Sequence, residues 1–262
     1  MAVRPEGTPC WADGMFPDLA AAKSFYGELF GWTFGESSEE FGNYTQASVD
    51  GGTVAALMPQ EPGSERPPAW NLYFATSDAR ATAAKIRENG GTLIADSVEV
   101  GGFGTMVVAQ DPSGIHFSAW QPASHQGFER TGTPGAYAWA DLCTREVRKA
   151  DAFFPSVFPF EVKRMESDQV DYHVWSIGGE PVAGRLRMTD NFPADAPPFI
   201  NVYFAVAGVD AAVATVRRLG GQLLYGPHPS PFGRFAPVMD QQGAVFTLID
   251  PADKEGETPT FS

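Results

Sequence analysis

The chain has 262 residues, with 43% hydrophobic and 19% charged residues, a net charge of −14 and two cysteines, which suits two globular domains with their own cores. Acidity without a basic cluster excludes the electrostatic footprint of a nucleic-acid binder and argues equally against anionic membrane surfaces. Two cysteines make no disulfide framework, no apolar run approaches the roughly 18 residues of a membrane span, and Met1–Glu6 carries no apolar signal core, so a cytoplasmic protein is expected.

In chain order, Cys10–Asp13 reads as a short strand. Asp18 caps a helix through Phe30, with Leu19, Ala22, Phe25, Tyr26 and Leu29 at helical spacing and Gly31 ending it. Strands are expected at Thr33–Gly35, Tyr44–Val49 and Val54–Met58, separated by glycine turns. The plan then restarts. Asn71–Ala75 is a strand, a helix runs from Asp78 to Asn89-Gly90-Gly91, and Thr92–Ile94, Met106–Gln110 and Ile115–Trp120 are strands.

After a linker, the same β-α-β-β-β order returns twice, with helices around Arg145–Phe154 and Val209–Leu219. Trp11-Ala12-Asp13 reappears as Trp139-Ala140-Asp141. Pro67-Pro68 and Asn71-Leu72-Tyr73-Phe74-Ala75 reappear as Pro197-Pro198 and Asn201-Val202-Tyr203-Phe204-Ala205. Phe103-Gly104, Asp111, Gly114 and Phe117 reappear as Phe232-Gly233, Asp240, Gly243 and Phe246. The order never changes, and the offset between copies is nearly constant at about half the chain. A period this long is a duplicated domain, since solenoid repeats run about 20–50 residues. The expected division is module one at 7–121, a linker at 122–131, module two at 132–251 and a frayed tail at 252–262.

Phe25-Tyr26-Gly27-Glu28-Leu29-Phe30-Gly31-Trp32 and Asp111-Pro112-Ser113-Gly114-Ile115-His116-Phe117 resemble the helix end and the final-strand turn of the vicinal-oxygen-chelate superfamily, which includes glyoxalases, bleomycin-resistance proteins and extradiol dioxygenases. The resemblance covers nearly the whole chain. It implies an α+β fold in which four βαβββ units form two tandem glyoxalase-like domains, with curved mixed sheets around cavities. It also implies that the tandem copies pack together like a homodimer, giving a monomer with pseudo-twofold symmetry or a weak dimer. The fold hosts many chemistries, so function rests on the site.

The resemblance places metal ligands, normally His, Gln and Glu, where this chain has Trp11, Asn71 and Ser118, and in module two Trp139, Asn201 and Thr247. Indole cannot ligate, and neutral hydroxyls and amides bind divalent cations weakly. No metal and no cofactor is therefore expected. Strand alternation lines one cavity with Trp11, Asp13, Asn71, Tyr73, His116, Ser118 and Trp120, and the other with Trp139, Asp141, Asn201, Tyr203, Val245, Thr247 and Ile249. Only module one combines a carboxylate with a histidine, so Asp13 and His116 are the candidate acid–base pair and module one the expected principal site. Alternatively, Asp13 and Asp141 bond backbone groups near the following helix, and His116 only packs. Cys10 has neither a copy nor a basic neighbour to make it a nucleophile. His173 and Trp175 could line a pocket or an inter-module face. Gly101–Gly104 and Pro229–Gly233 read as hairpins over the cavity mouths.

The expected function is binding, and possibly metal-independent acid–base transformation, of a small aromatic or polyketide-like molecule in a Trp-lined cavity. The alternatives are a metal-dependent lyase, isomerase or dioxygenase of the same superfamily, and a non-catalytic drug-sequestering resistance protein.

Overall fold

The structure, a computed structural model, describes residues 4–61, 63–64 and 66–262. Its first half contains β1 (Pro9–Phe16), α1 (Leu19–Phe30), β2 (Thr33–Phe34), β3 (Thr45–Val49), β4 (Gly52–Pro59), β5 (Ala69–Ala75), α2 (Ala79–Glu88), β6 (Thr92–Val100), β7 (Gly104–Gln110) and β8 (His116–Pro122). The second half repeats the series as β9 (Tyr137–Thr144), α3 (Val147–Val157), β10 (Glu161–Arg164), β11 (Tyr172–Ile177), β12 (Glu180–Arg187), β13 (Phe199–Ala205), α4 (Val209–Arg218), β14 (Gln222–Leu223), β15 (Arg234–Met239) and β16 (Val245–Asp250). Local chemistry sets the boundaries. Asp18 and Asp78 each accept from the backbone N–H three residues on, at 2.9 and 3.0 Å, and cap α1 and α2. Gly31 takes the left-handed conformation that stops α1, φ 70°.

Each half is an eight-stranded mixed sheet, in the orders β2-β3-β4-β1-β5-β8-β7-β6 and β10-β11-β12-β9-β13-β16-β15-β14. Two βαβββ units meet at the antiparallel pair β1–β5 in one sheet and β9–β13 in the other. Trp11 lies opposite Tyr73 and Asp13 opposite Asn71, while Tyr73 lies beside Ser118 on parallel β8. That register gathers the polar residues of three strands on one face. Alternation turns Phe74, Phe117 and Ala119, all fully buried, to the other face.

The apolar faces pack against each other through reciprocal aromatic contacts. Tyr26 of α1 meets Phe246 of β16, with ring centroids 5.6 Å apart, and Phe154 of α3 meets Phe117 of β8 at 5.1 Å. Phe30 meets Phe204 and Phe158 meets Phe74, both at 5.2 Å. The aromatic residues at α1 and α3 thus each cover the other half's sheet, as the expected pseudo-twofold requires. The Tyr26 hydroxyl donates across this interface to Asp240 Oδ2 at 2.8 Å. Trp175 belongs here too: it is fully buried and stacked on Phe160 at 5.1 Å.

Two segments depart from expectation. Residues 122–131 are no free linker. They leave the β6–β7 hairpin, where the His125 N–H donates to Phe103 O, and cross to β1, where the Phe128 N–H donates to Cys10 O at 2.7 Å. The tail 252–262 is paired rather than frayed. Arg164 and Ser262 exchange two backbone hydrogen bonds of 2.8 and 3.0 Å, and the Glu166 N–H donates to Thr260 O. Both segments are polar and without periodicity, yet a backbone carbonyl of β1 and the backbone N–H and carbonyl of Arg164 in β10 recruit them.

Candidate functional site

Each concave face holds a carboxylate surrounded by phenols, an indole and an amide. In module one, Asp13 is 2% exposed. Its Oδ2 accepts from Tyr73 at 2.7 Å and Tyr44 at 3.3 Å, and its Oδ1 from Asn71 at 3.3 Å. Trp11 Nε1 donates to the Tyr44 hydroxyl at 2.6 Å, and Asn71 Nδ2 to Ser118 Oγ at 3.0 Å. In module two, Asp141 is 4% exposed. It accepts from Tyr172 and Tyr203, both at 2.6 Å, and from Trp139 Nε1 at 3.0 Å. Asn201 Nδ2 donates to Thr247 Oγ1 at 2.9 Å.

Tyr44 and Tyr172 are the members that sequence reasoning missed, although they stand at the same offset as Trp11 from Trp139 and Asp13 from Asp141. One strand position explains why the second cluster is tighter. Gly184 is the register partner of Asp141, and a Cβ there would collide with the Tyr172 hydroxyl and the carboxylate. Module one has Ala56 at that position, opposite Asp13, and its Tyr44 stands farther off.

The alternative in which Asp13 and Asp141 bond backbone near a helix is corrected: every hydrogen bond they accept through their side chains, among the described residues, comes from a side chain. The Asp13–His116 pair is not assembled either. His116 shares the face of Ser118 and Trp120, but it is the first residue of β8, exposed, and makes no hydrogen bond to Asp13. Trp120 is turned into packing. Its Nε1 donates to His125 O at 2.9 Å. Trp11 is likewise closed over, with His125 edge-on at 4.4 Å and Phe128 at 5.6 Å. The corresponding residues after module two are Lys254 and Glu257, both exposed, and Trp139, Tyr172 and Tyr203 remain partly open.

Burial pushes Asp13 up to about 6, against the hydrogen bonds from Tyr73, Asn71 and Tyr44, and pushes Asp141 up as well. Both carboxyls therefore bind a proton more readily than a solvated carboxylate. The phenols beside them are pushed up too, first by burial and then by the aspartates' charge. Cys10, pushed by burial up to about 12, is an unreactive thiol.

The rise of Asp13 has a sign for stability. A carboxyl whose folded pKa exceeds its unfolded value contributes stability fully at low pH, and that contribution is lost as pH rises from the ordinary carboxylate range to about 6. Stability is expected to fall across that window by roughly 2–3 kcal/mol from Asp13. Urea unfolding of wild type and Asp13→Asn as a function of pH checks it. A profile with the same slope in both proteins would refute it.

The donor chemistry does not suit a divalent cation. Each cluster offers one carboxylate, whose oxygens are occupied by phenol and amide or indole donors, while Asn71 with Ser118, and Asn201 with Thr247, satisfy each other. Among the described residues no group of three or more His, Cys, Asp or Glu stands at metal-holding distance. Nor, among them, is any helix long and apolar enough to cross a membrane.

Comparisons with known proteins agree with the fold. Residues 15–118 match the glyoxalase/bleomycin resistance protein/dioxygenase superfamily. The chain is 35% identical over 258 residues to the anthracycline biosynthesis protein DnrV of Streptomyces peucetius, covering 93% of each chain. It is 34% identical over 256 residues to the putative glyoxylase CFP32 of Mycobacterium bovis, covering 95% of this chain and 97% of that one. Among solved structures it resembles the 2,3-dioxygenase LapB from Pseudomonas sp. KL28, with TM-score 0.69, 14% identity and coverage of 99% and 95%. It also resembles the Mn(II)-bound glyoxalase from Novosphingobium aromaticivorans, with TM-score 0.64, 18% identity and coverage of 97% and 87%. With relatives this similar over almost the full length, the chain belongs to the glyoxalase/bleomycin resistance protein/dioxygenase superfamily.

Proposed function

We propose that this protein binds a flat, oxygen-bearing aromatic or polyketide-like molecule on the concave face of module two and transfers a proton with Asp141 and its tyrosines, without a metal. The observation that carries the reading is the duplicated Asp–Tyr–Tyr–Trp cluster, whose Trp139 and Tyr203 are partly exposed in module two while Trp11 and Tyr73 are buried in module one. It reverses the expectation built on His116 and Trp120, because His125 and Phe128 fill the space beside Trp11 and Trp120. Trp139 offers a stacking surface and Tyr203, partly exposed beside it, a hydroxyl for a polar contact.

The chemistry follows from the hydrogen bonds. Tyr203 donates its proton to Asp141 Oδ2 and keeps an oxygen lone pair for an incoming donor. An acidic substrate O–H or C–H can pass its proton to the tyrosine oxygen as the phenolic proton moves to the carboxylate. A carboxyl raised by burial is the better acceptor near neutral pH. Descent shared with an anthracycline biosynthesis protein supports the ligand class.

Tryptophan fluorescence titrated with an anthracycline tests the binding. The expected outcome is saturable quenching that persists in a chelator and is weakened about tenfold or more by Trp139→Ala, in keeping with a lost stacking contact. Binding that needs added metal, or that Trp139→Ala leaves unchanged while Trp11→Ala abolishes it, would refute the proposal.

A further inference from the structure

The other face of module two's first βαβββ unit holds a cavity of about 450 Å³ between the start of α3 and strands β10–β12. Five arginines line it: Arg145, Arg148, Arg164, Arg185 and Arg187. Three carboxylates, Glu146, Asp151 and Asp171, stand among them. His173 also lines it, its pKa lowered first by burial and then by Arg185. The local excess is two positive charges, on a chain whose net charge is −14.

The arginines differ in what holds them. Arg185 is 1% exposed and fixed on two sides, its Nε 2.8 Å from Asp151 Oδ1 and its Nη1 2.7 Å from Asp171 Oδ1. Arg145 is braced by the carbonyls of Ala196 and Pro193, at 3.0 and 2.8 Å. Arg187 reaches Asp171 at 3.3 Å. Arg148 and Arg164 have no side-chain hydrogen bond or ion pair among the described residues, so two whole guanidinium groups are left for a ligand. The α3 terminus adds two donors. Glu146 does not cap the helix with its side chain, and the amides of Val147 and Arg148 meet no acceptor among the described residues. His173 Nδ1 is 3.2 Å from Asp151 Oδ1 but misaligned, so this buried nitrogen also makes no hydrogen bond.

Module one shows that the fold does not need this arrangement. Thr45 pairs with Leu57 at the register position where His173 pairs with Arg185. Leu57 is fully buried, so an ordinary apolar residue fills the same place. At the offset that relates Thr45 to His173, Asp151 matches Lys23, Asp171 matches Asn43 and Arg164 matches Glu36. Of the charges in and around the buried pair, Arg185, Asp151, Asp171 and Arg164 have no like charge in module one, and only Glu146 has one, in Asp18. A buried arginine with two carboxylates is seldom more stable than an apolar side chain of similar volume. Its presence in one copy alone therefore points to a ligand.

We infer that this cavity is a binding site for a dianionic phosphate monoester, its phosphoryl group held by the Arg148 and Arg164 guanidinium groups and the free amides at the start of α3. Guanidinium forks and helix-start amides match phosphoryl oxygens in charge and geometry. The volume lies in the range that accepts a small organic body besides the phosphoryl group. The site is independent of the Asp141 cluster. Tyr172, which faces Asp141, lies between Asp171 and His173, which face the cavity, so the two sites occupy opposite faces of β11.

Calorimetric titration at constant ionic strength with phenyl phosphate, inorganic phosphate and malonate tests it on the full chain. The expected order of affinity is phenyl phosphate first, inorganic phosphate next, malonate last. Arg148→Gln and Arg164→Gln should each weaken phenyl phosphate about tenfold, the typical share of one charge-assisted hydrogen bond. Both replaced side chains lack partners here, so the fold should be undisturbed, which circular dichroism would check. Asp141→Asn should leave phenyl phosphate affinity unchanged. No binding of phenyl phosphate, or binding indifferent to both arginine substitutions, would overturn the site. Tighter binding of malonate would overturn the phosphate assignment, and equal binding of bare phosphate would overturn the ester. Loss on Asp141→Asn alone would move the ligand to the other face.

Discussion

Expressed alone, residues 1–131 are expected to aggregate or to dimerise, and not to fold as a soluble monomer. The reason lies in the reciprocal packing of the two halves. Phe74 and Phe117 of the first half are covered by Phe153, Phe154 and Phe158 of the second. Tyr26, Phe30 and Trp32 cover Phe204 and Phe246 in return. Burying one large aromatic or aliphatic side chain contributes about 1.5–3 kcal/mol. If only four were uncovered, roughly 6–12 kcal/mol would be lost, comparable with the whole stability of an ordinary domain, about 5–15 kcal/mol. Asp240 would be missing from the Tyr26 hydroxyl as well, leaving a buried donor unpaired. A dimer would be intelligible, because a second copy of the first half carries Tyr26 and Phe30 where Phe154 and Phe158 would have been. Analytical ultracentrifugation and a proton–nitrogen correlation spectrum of the fragment decide the matter. A monomeric species with dispersed amide signals would show that the interface is dispensable.

The fold was legible because the sequence repeats its own punctuation. Asp18, Gly31, Asp78 and Gly90 mark helix ends through local chemistry, and the Asn71–Ala75 alternation assigns each residue to a face without any tertiary information. The faces of β8 were legible in the same way: Phe117 and Ala119 pack inward and Ser118 meets Asn71. What alternation does not give is depth along a strand. His116 has the right parity but lies at the strand's start, where the face opens to solvent. Nor does it give the path of irregular chain. Residues 122–131 decide that Trp11 and Trp120 are covered, through His125 and Phe128, and no periodicity announces a segment held by hydrogen bonds to Phe103 O and Cys10 O. Tyr44 and Tyr172 were within reach. Applying the offset between Trp11 and Trp139 to every aromatic residue, and not only to the longest identical strings, would have paired them beside Asp13 and Asp141. The arginine cavity was the harder case, because its parts come from one helix and three strands, and module one offers no copy to draw attention to it.

Proton transfer by the module-two cluster is expected to fail in Asp141→Asn and to survive in Asp13→Asn. Asparagine keeps the shape of aspartate and one oxygen acceptor, so the backbone pairing of Asp141 with Asn201 and Gly184 is retained. The amide nitrogen, however, faces Tyr172 or Tyr203 with a donor where each phenol now finds an acceptor at 2.6 Å. The relay then has no base at its end. Loss of a general base typically costs about 10²–10⁴ in rate, whereas loss of one neutral hydrogen bond costs roughly 1 kcal/mol, or several-fold in affinity. The two magnitudes separate catalysis from simple binding. In module one the same substitution alters a cluster whose Trp11 lies beneath His125 and Phe128, so the rate should change little. Deuterium incorporation from heavy water into a bound anthracycline with an acidic C–H, followed by mass spectrometry, reads the transfer directly. The wild-type rate should rise with pH through the raised pKa of Asp141, because the carboxylate must be ionised to accept the proton. Equal loss in Asp13→Asn and Asp141→Asn would make both faces active. A rate that Asp141→Asn leaves unchanged would remove the aspartate from the chemistry and leave the cluster a binding surface only.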